Sequence, residues 1–135
     1  MLVLDSSFLM AYHNTRDVHH AEAVEAMGRL LAGEWGEALL LEYVFVEVAT
    51  VLAARRGIES AARVAASLLE ARELAFVPCS ELFLDAFETF RSQQTAALSF
   101  TDAAIVTVAR RHEDSRVATF DRDFLDLDGI RVVPS

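Results

Sequence analysis

Lysine is absent from this chain of 135 residues, and cysteine occurs once, at Cys79. Without lysine there is no phosphate-loop lysine, no Schiff-base amine and no lysine general base, and none of the five glycines falls in a GxGxxG pattern. A single cysteine excludes an internal disulfide and a thiolate metal cluster made within one chain, so Cys79 reads as a small buried hydrophobe. With 2 prolines and 5 glycines there is no compositional basis for a flexible linker or a disordered tail, and no repeat or low-complexity tract divides the chain. No apolar run reaches the roughly 18 uncharged residues of a spanning helix. Met1 to Met10 carries Asp5 in its middle and no basic leader, so a cytoplasmic location away from membranes is expected.

Positive charge is also scarce, with 12 arginines against 21 acidic residues and a net charge of −9. Broad nonspecific attraction to nucleic acid normally rests on a basic surface, which this composition does not provide. The balance suits a basic partner, or an acidic site that bound metal neutralises in part. Apolar residues are abundant, at 53% of the chain. That is enough to fill one core, and residues 1–135 are expected to form one domain.

Short apolar runs at Leu2–Leu4, Ala38–Leu41, Ala75–Val77, Arg116–Thr119 and Arg131–Val133 read as strands. Between them, Asp17–Leu31, Tyr43–Arg56, Ser60–Arg72, Ser80–Arg91 and Thr101–Arg111 carry apolar positions at helical spacing. Ser60, Ser80 and Thr101 are candidate N-caps, and Gly57 after Arg55-Arg56 is a helix stop. Buried strands alternating with helices imply an α/β fold, a mostly parallel sheet covered on both faces. Such sheets bind ligands at the carboxyl ends of their strands.

Four acids interrupt the most apolar stretches. Asp5 follows Leu2-Val3-Leu4, Glu47 lies inside Tyr43 to Leu52, Asp102 precedes Ala103-Ala104-Ile105-Val106, and Asp121 follows Val117-Ala118-Thr119-Phe120. Asp5 and Asp121 sit just past strands; Glu47 and Asp102 extend apolar helix stripes, through Val44, Val48 and Val51 and through Ile105, Val106 and Ala109. A carboxylate in a poorly hydrated place needs a cation, hydrogen-bond donors or a shifted pKa. Each acid alone also has an ordinary reading: Asp5 as an N-cap before Ser6-Ser7-Phe8, Asp102 as a first-turn acid behind Ser99 or Thr101, Asp121 in a turn with Arg122. The coincidence of four favours a metal site, and oxygen-only ligands favour Mg²⁺, with Mn²⁺ as the alternative, over zinc. Ser6 and Thr119 neighbour these acids and are candidates for orienting water or a phosphate oxygen. Arg55, Arg56, Arg110 and Arg122 are candidate phosphate contacts. The adjacent His19-His20 face different sides of a helix and read as a solvated helix start rather than as ligands.

In order along the chain, Val3-Leu4-Asp5-Ser6-Ser7, Tyr43-Val44-Phe45-Val46-Glu47 with Arg55-Arg56-Gly57, Leu98-Ser99-Phe100-Thr101-Asp102-Ala103, and Ala118-Thr119-Phe120-Asp121-Arg122-Asp123-Phe124 resemble the motifs of the PIN-domain family. Within that family they are most similar to the VapC-like toxins of toxin–antitoxin pairs. The resemblance implies a three-layer α/β/α sandwich with about five short strands. It implies a Mg²⁺-dependent endoribonuclease acting on tRNA, rRNA or mRNA through metal-activated water, with Asp5, Glu47, Asp102 and Asp121 as acids and Asp123 as the rival fourth. It further implies a basic antitoxin that neutralises the enzyme, and a homodimer. Two alternatives stay within the same fold, a nuclease of RNA processing without an antitoxin and a noncatalytic binding protein. An aspartyl-phosphate phosphatase fits less well, because the position two after Asp5 is Ser7 and there is no lysine.

Overall fold

The computed structural model describes residues 1–135. Five strands, β1 (Leu2–Leu4), β2 (Ala38–Leu41), β3 (Leu74–Val77), β4 (Arg116–Ala118) and β5 (Arg131–Val133), form one sheet in the order β3-β2-β1-β4-β5. Every pairing is parallel, with Val3 opposite Leu39 on one side and Val117 on the other. The central strand is apolar throughout because helices cover both of its faces: Leu2, Val3 and Leu4 are all fully buried. Alternation returns only at the edges, where Phe76 of β3 and Arg131 of β5 are exposed.

Six α-helices connect the strands: α1 (Ser6–His13), α2 (His20–Leu31), α3 (Glu42–Arg56), α4 (Ile58–Glu70), α5 (Phe83–Arg91) and α6 (Phe100–Arg110). The steps β1 to β2 and β2 to β3 move along the sheet in one direction, and β3 to β4 moves back past β1. Since parallel crossovers are right-handed, α1 to α4 lie on one face and α5 and α6 on the other. The packing agrees: α3 meets β2 and α4 meets β3, whereas α6 meets β1 and β4. This is the α/β/α sandwich expected from the residue pattern. The strand order reverses between β1 and β4, and there the crevice for a ligand opens. No helix is long and apolar enough to cross a membrane.

The departures from the sequence reading are local. Helix α1 is implied only by the N-cap reading of Asp5 and is missing from the helical segments read from spacing, being eight residues with an apolar run, Phe8 to Ala11, that continues the signature of β1. Helix α2 begins at His20 rather than Asp17, because the Asp17 carboxylate accepts the His19 amide at 2.8 Å and holds a turn before the helix. Ser60 and Ser80 do not cap helices. Gly57, at φ 88°, both stops α3 and precedes α4, and α5 starts after Leu82. Helix α6 is capped by Ser99 and not by Thr101.

Ile105, on α6 against the sheet, is fully buried. Ile105→Ala is expected to lower the stability by about 2–5 kcal/mol in urea denaturation, with unchanged slope.

Candidate active site

Where β1 ends, the Asp5 amide still donates to the Ala118 carbonyl at 3.0 Å, so the residue leaves the sheet beside β4. Asp5 precedes α1 with an extended backbone, yet its side chain makes no capping bond. The carboxylate turns to β4 instead. Thr119 Oγ1 donates to Oδ2 at 2.6 Å and Ser7 Oγ donates to the same oxygen at 2.7 Å. The two hydroxyls also accept, Ser7 from the Phe120 amide and Thr119 from the Asp121 amide, each at 2.9 Å. Asp5 and Thr119, at 2% and 1% exposure, are the two buried polar residues of the protein. Burial raises the Asp5 pKa above the usual carboxylate value; the Thr119 and Ser7 hydroxyls and the Ser6 amide offset this only in part, and the charge of Asp121 adds to it.

Asp102 lies in the first turn of α6. Its amide donates to Ser99 Oγ at 3.1 Å while its Oδ2 accepts the Ser99 amide at 3.3 Å, a reciprocal cap. Its pKa is pushed up to about 6, first by burial, then by the charge of Asp5, with a smaller push from Asp121 and an opposing pull from Ser99. Asp121 opens a short 3₁₀ turn, Arg122–Phe124, and accepts the Asp123 amide at 2.9 Å. Asp5, Asp102 and Asp121 therefore form one mutually repelling group at the point where the strand order reverses. None of the ion pairs in the protein includes these acids or Glu47.

Glu47 is half-buried on α3 and borders a hollow of about 530 Å³ with Thr50 and Thr101, and its charge does not figure among those acting on Asp5 or Asp102. Asp123 is exposed, and its charge does not figure among those acting on Asp5 or Asp102. Ser6 contributes only its amide to Asp5, and Thr119 is buried under the carboxylate it serves. The hydroxyl pair on Asp5 is thus Ser7 and Thr119, and of the two candidates for orienting water or a phosphate oxygen, Ser6 and Thr119, the second is spent on the carboxylate. Among the arginines, Arg56 donates to the His13 carbonyl at 2.7 Å and Arg110 to the Asp128 carbonyl at 3.3 Å. Arg55 and Arg122 are exposed without such bonds, and Arg122 lines a hollow with Asp121.

No three of the acidic, histidine or cysteine side chains close on one point as a coordination set, and Asp102 is engaged with its own helix cap. The chemistry of the donors nonetheless fits a hard cation. They are oxygen-only, the charges of Asp5 and Asp121 raise the pKa of Asp102, and none of the three is in an ion pair.

The PIN domain family matches residues 2–130. The chain belongs to the PIN-domain family. Among solved structures it is similar to Mycobacterium tuberculosis VapC20, a sarcin–ricin loop cleaving toxin, with a TM-score of 0.79 and 25% sequence identity over 97% of this chain and 99% of that one. None of the curated proteins matches it by sequence. In this PIN domain the residue that sequence reasoning passes over is Ser7. Its signal is the spacing Asp-x-Ser at a strand-to-helix turn, which lets a hydroxyl reach back to the carboxylate two residues earlier.

Two measurements probe the group. Ser7→Ala leaves the Phe120 amide without its acceptor and Asp5 Oδ2 with one donor, and is expected to cost about 1–3 kcal/mol in urea denaturation. Asp102 takes up its proton near 6 in the folded protein against an ordinary 3.8, so the folded state binds that proton more tightly. The stabilising contribution is present below the unfolded value and is lost as pH rises from about 4 to about 6. In EDTA, Asp102→Asn, which keeps an acceptor for the cap, is expected to be more stable than the parent near about pH 7.5. That advantage should shrink toward about pH 4.5.

Proposed function

We propose that this protein is a divalent-metal-dependent endoribonuclease of the VapC type. In this reading it hydrolyses RNA phosphodiester bonds to leave 5′-phosphate and 3′-hydroxyl ends, and residues 1–135 form one PIN domain. The observation that carries the reading is the charge of Asp5 and Asp121, just past the carboxyl ends of β1 and β4, acting on Asp102 at the start of α6, with none of the three in an ion pair. The similarity to VapC20 supports RNA as the substrate class.

Asp5 and Asp102 would hold Mg²⁺ or Mn²⁺, with Glu47 completing the set. A bound divalent cation makes water a better nucleophile and offsets charge on the phosphate. Asp5 offers its Oδ1 side, since Ser7 and Thr119 occupy Oδ2. Asp121, fixed by the Thr119 hydroxyl through its amide, orients the attacking water. Arg122, exposed beside Asp121, meets a backbone phosphate of the RNA. A basic antitoxin complements the net charge of −9 and closes the acidic site, and a homodimer completes the assembly in this reading.

Purified protein incubated with total cellular RNA and with a sarcin–ricin loop RNA tests the proposal. Discrete cuts are expected with Mg²⁺ and none with EDTA, and Asp5→Ala is expected to lose at least about a hundredfold in rate. Cutting by the Asp5→Ala protein at the parental rate would remove Asp5 from the site.

A further inference from the structure

Three aromatic rings run from the core to the surface beside these acids. Phe8 of α1 is fully buried, Phe120 is half-buried, and His19 has 43% of its side chain exposed. Phe120 stacks on Phe8 with ring centroids 6.1 Å apart and planes 22° from parallel. His19 stacks on Phe120 at 4.5 Å, with planes only 4° apart. Each layer is fixed from behind. The Phe120 amide is held by Ser7 Oγ at 2.9 Å, the His19 amide by Asp17 Oδ1 at 2.8 Å, and the neighbouring His20 meets the Ala11 carbonyl through Nδ1 at 2.9 Å.

His19 lies flat on Phe120 with nearly half of its side chain in water, its Nδ1 3.9 Å from Glu22 Oε1 on the following turn. A flat, pre-oriented aromatic face at the rim of an acidic site suits one kind of occupant, a planar group that also stacks. Unpaired RNA bases stack on aromatic and histidine side chains in this way, and a face held in place beforehand loses little freedom on binding. Phe120 also borders the hollow it shares with Asp121 and Arg122. The ring that backs His19 and an exposed guanidinium thus border the hollow of the same acid. A base is joined to its phosphate by a single ribose, so the ring can meet a nucleotide next to the bond that is cut.

We infer that His19, backed by Phe120, is a stacking platform for an unpaired nucleobase flanking the scissile phosphate. The inference rests on the nuclease reading, because it takes RNA as the ligand. It assigns the residue that sets the preference for unpaired RNA at that position.

The test uses the full chain with short unpaired RNAs carrying the fluorescent base 2-aminopurine at successive positions, in EDTA and low salt so that binding is read without cleavage. The parent protein is expected to quench the fluorescence at one position. His19→Ala is expected to abolish that quenching and weaken binding roughly tenfold, and His19→Phe to restore both. An abasic site at the same position should weaken binding to the parent by a similar factor and to His19→Ala by nothing further. Parental quenching and affinity in His19→Ala, or no position-dependent quenching in the parent, would overturn the inference. Absence of Mg²⁺-dependent cutting by the parent would instead overturn the nuclease reading, which this binding experiment does not use.

Discussion

A single buried carboxylate organises this protein. Asp5 stands one residue beyond the fully buried strand β1, and the same covering of both sheet faces that makes Leu2-Val3-Leu4 apolar also takes Asp5 out of water. Two hydroxyls, from Ser7 and Thr119, stabilise it in part and leave its pKa above the ordinary carboxylate range. The hydrogen bonds that hold it also join the end of β1 to the end of β4. Through the Phe120 and Asp121 amides they set the aromatic stack on one side and the third acid on the other.

The electrostatics follow from that placement. The charge of Asp5 raises the pKa of Asp102, and Asp121 adds to both, while no ion pair reaches any of the three. Arg29, Arg63, Arg91 and Arg111 pair with acids on the surface, where such pairs contribute little. A group of like charges kept apart from its available counter-ions is costly to the metal-free fold. The reciprocal cap between Ser99 and Asp102 has a double character, since one carboxylate both caps α6 and feels the charge of Asp5.

The strands were readable almost to the residue, because three or four consecutive apolar residues bounded by polar ones admit few other structures. Asp5 was readable for the same reason, as a charge in a place where charge is expensive, whereas Glu47 was read alongside it and its charge acts on neither Asp5 nor Asp102. What one dimension hides is lateral. Ser7 rather than Ser6 serves Asp5 because α1 begins at residue 6 and turns the next side chain back over the strand end, and α1 itself merges with the apolar signal of β1. Gly57 took the boundary that Ser60 was expected to mark, since one positive φ ends one helix and precedes the next. His19-His20 reads as a solvated pair in sequence, and only the fold shows one ring on Phe120 and the other against α1. Arg56 and Arg110 read as candidate phosphate contacts, and the fold ties both to backbone carbonyls.

The central claim is that Asp5, Asp102 and Asp121 gather to hold a divalent cation. A crystal soaked in Mn²⁺ and measured for anomalous scattering tests it without reference to any substrate. The account expects a peak within bonding reach of Asp5 Oδ1 and of Asp102, with the Asp102 carboxylate released from the Ser99 amide, and no such peak in Asp5→Asn. Ordered crystals with Mn²⁺ bound only elsewhere, or with the peak retained in Asp5→Asn, would contradict it.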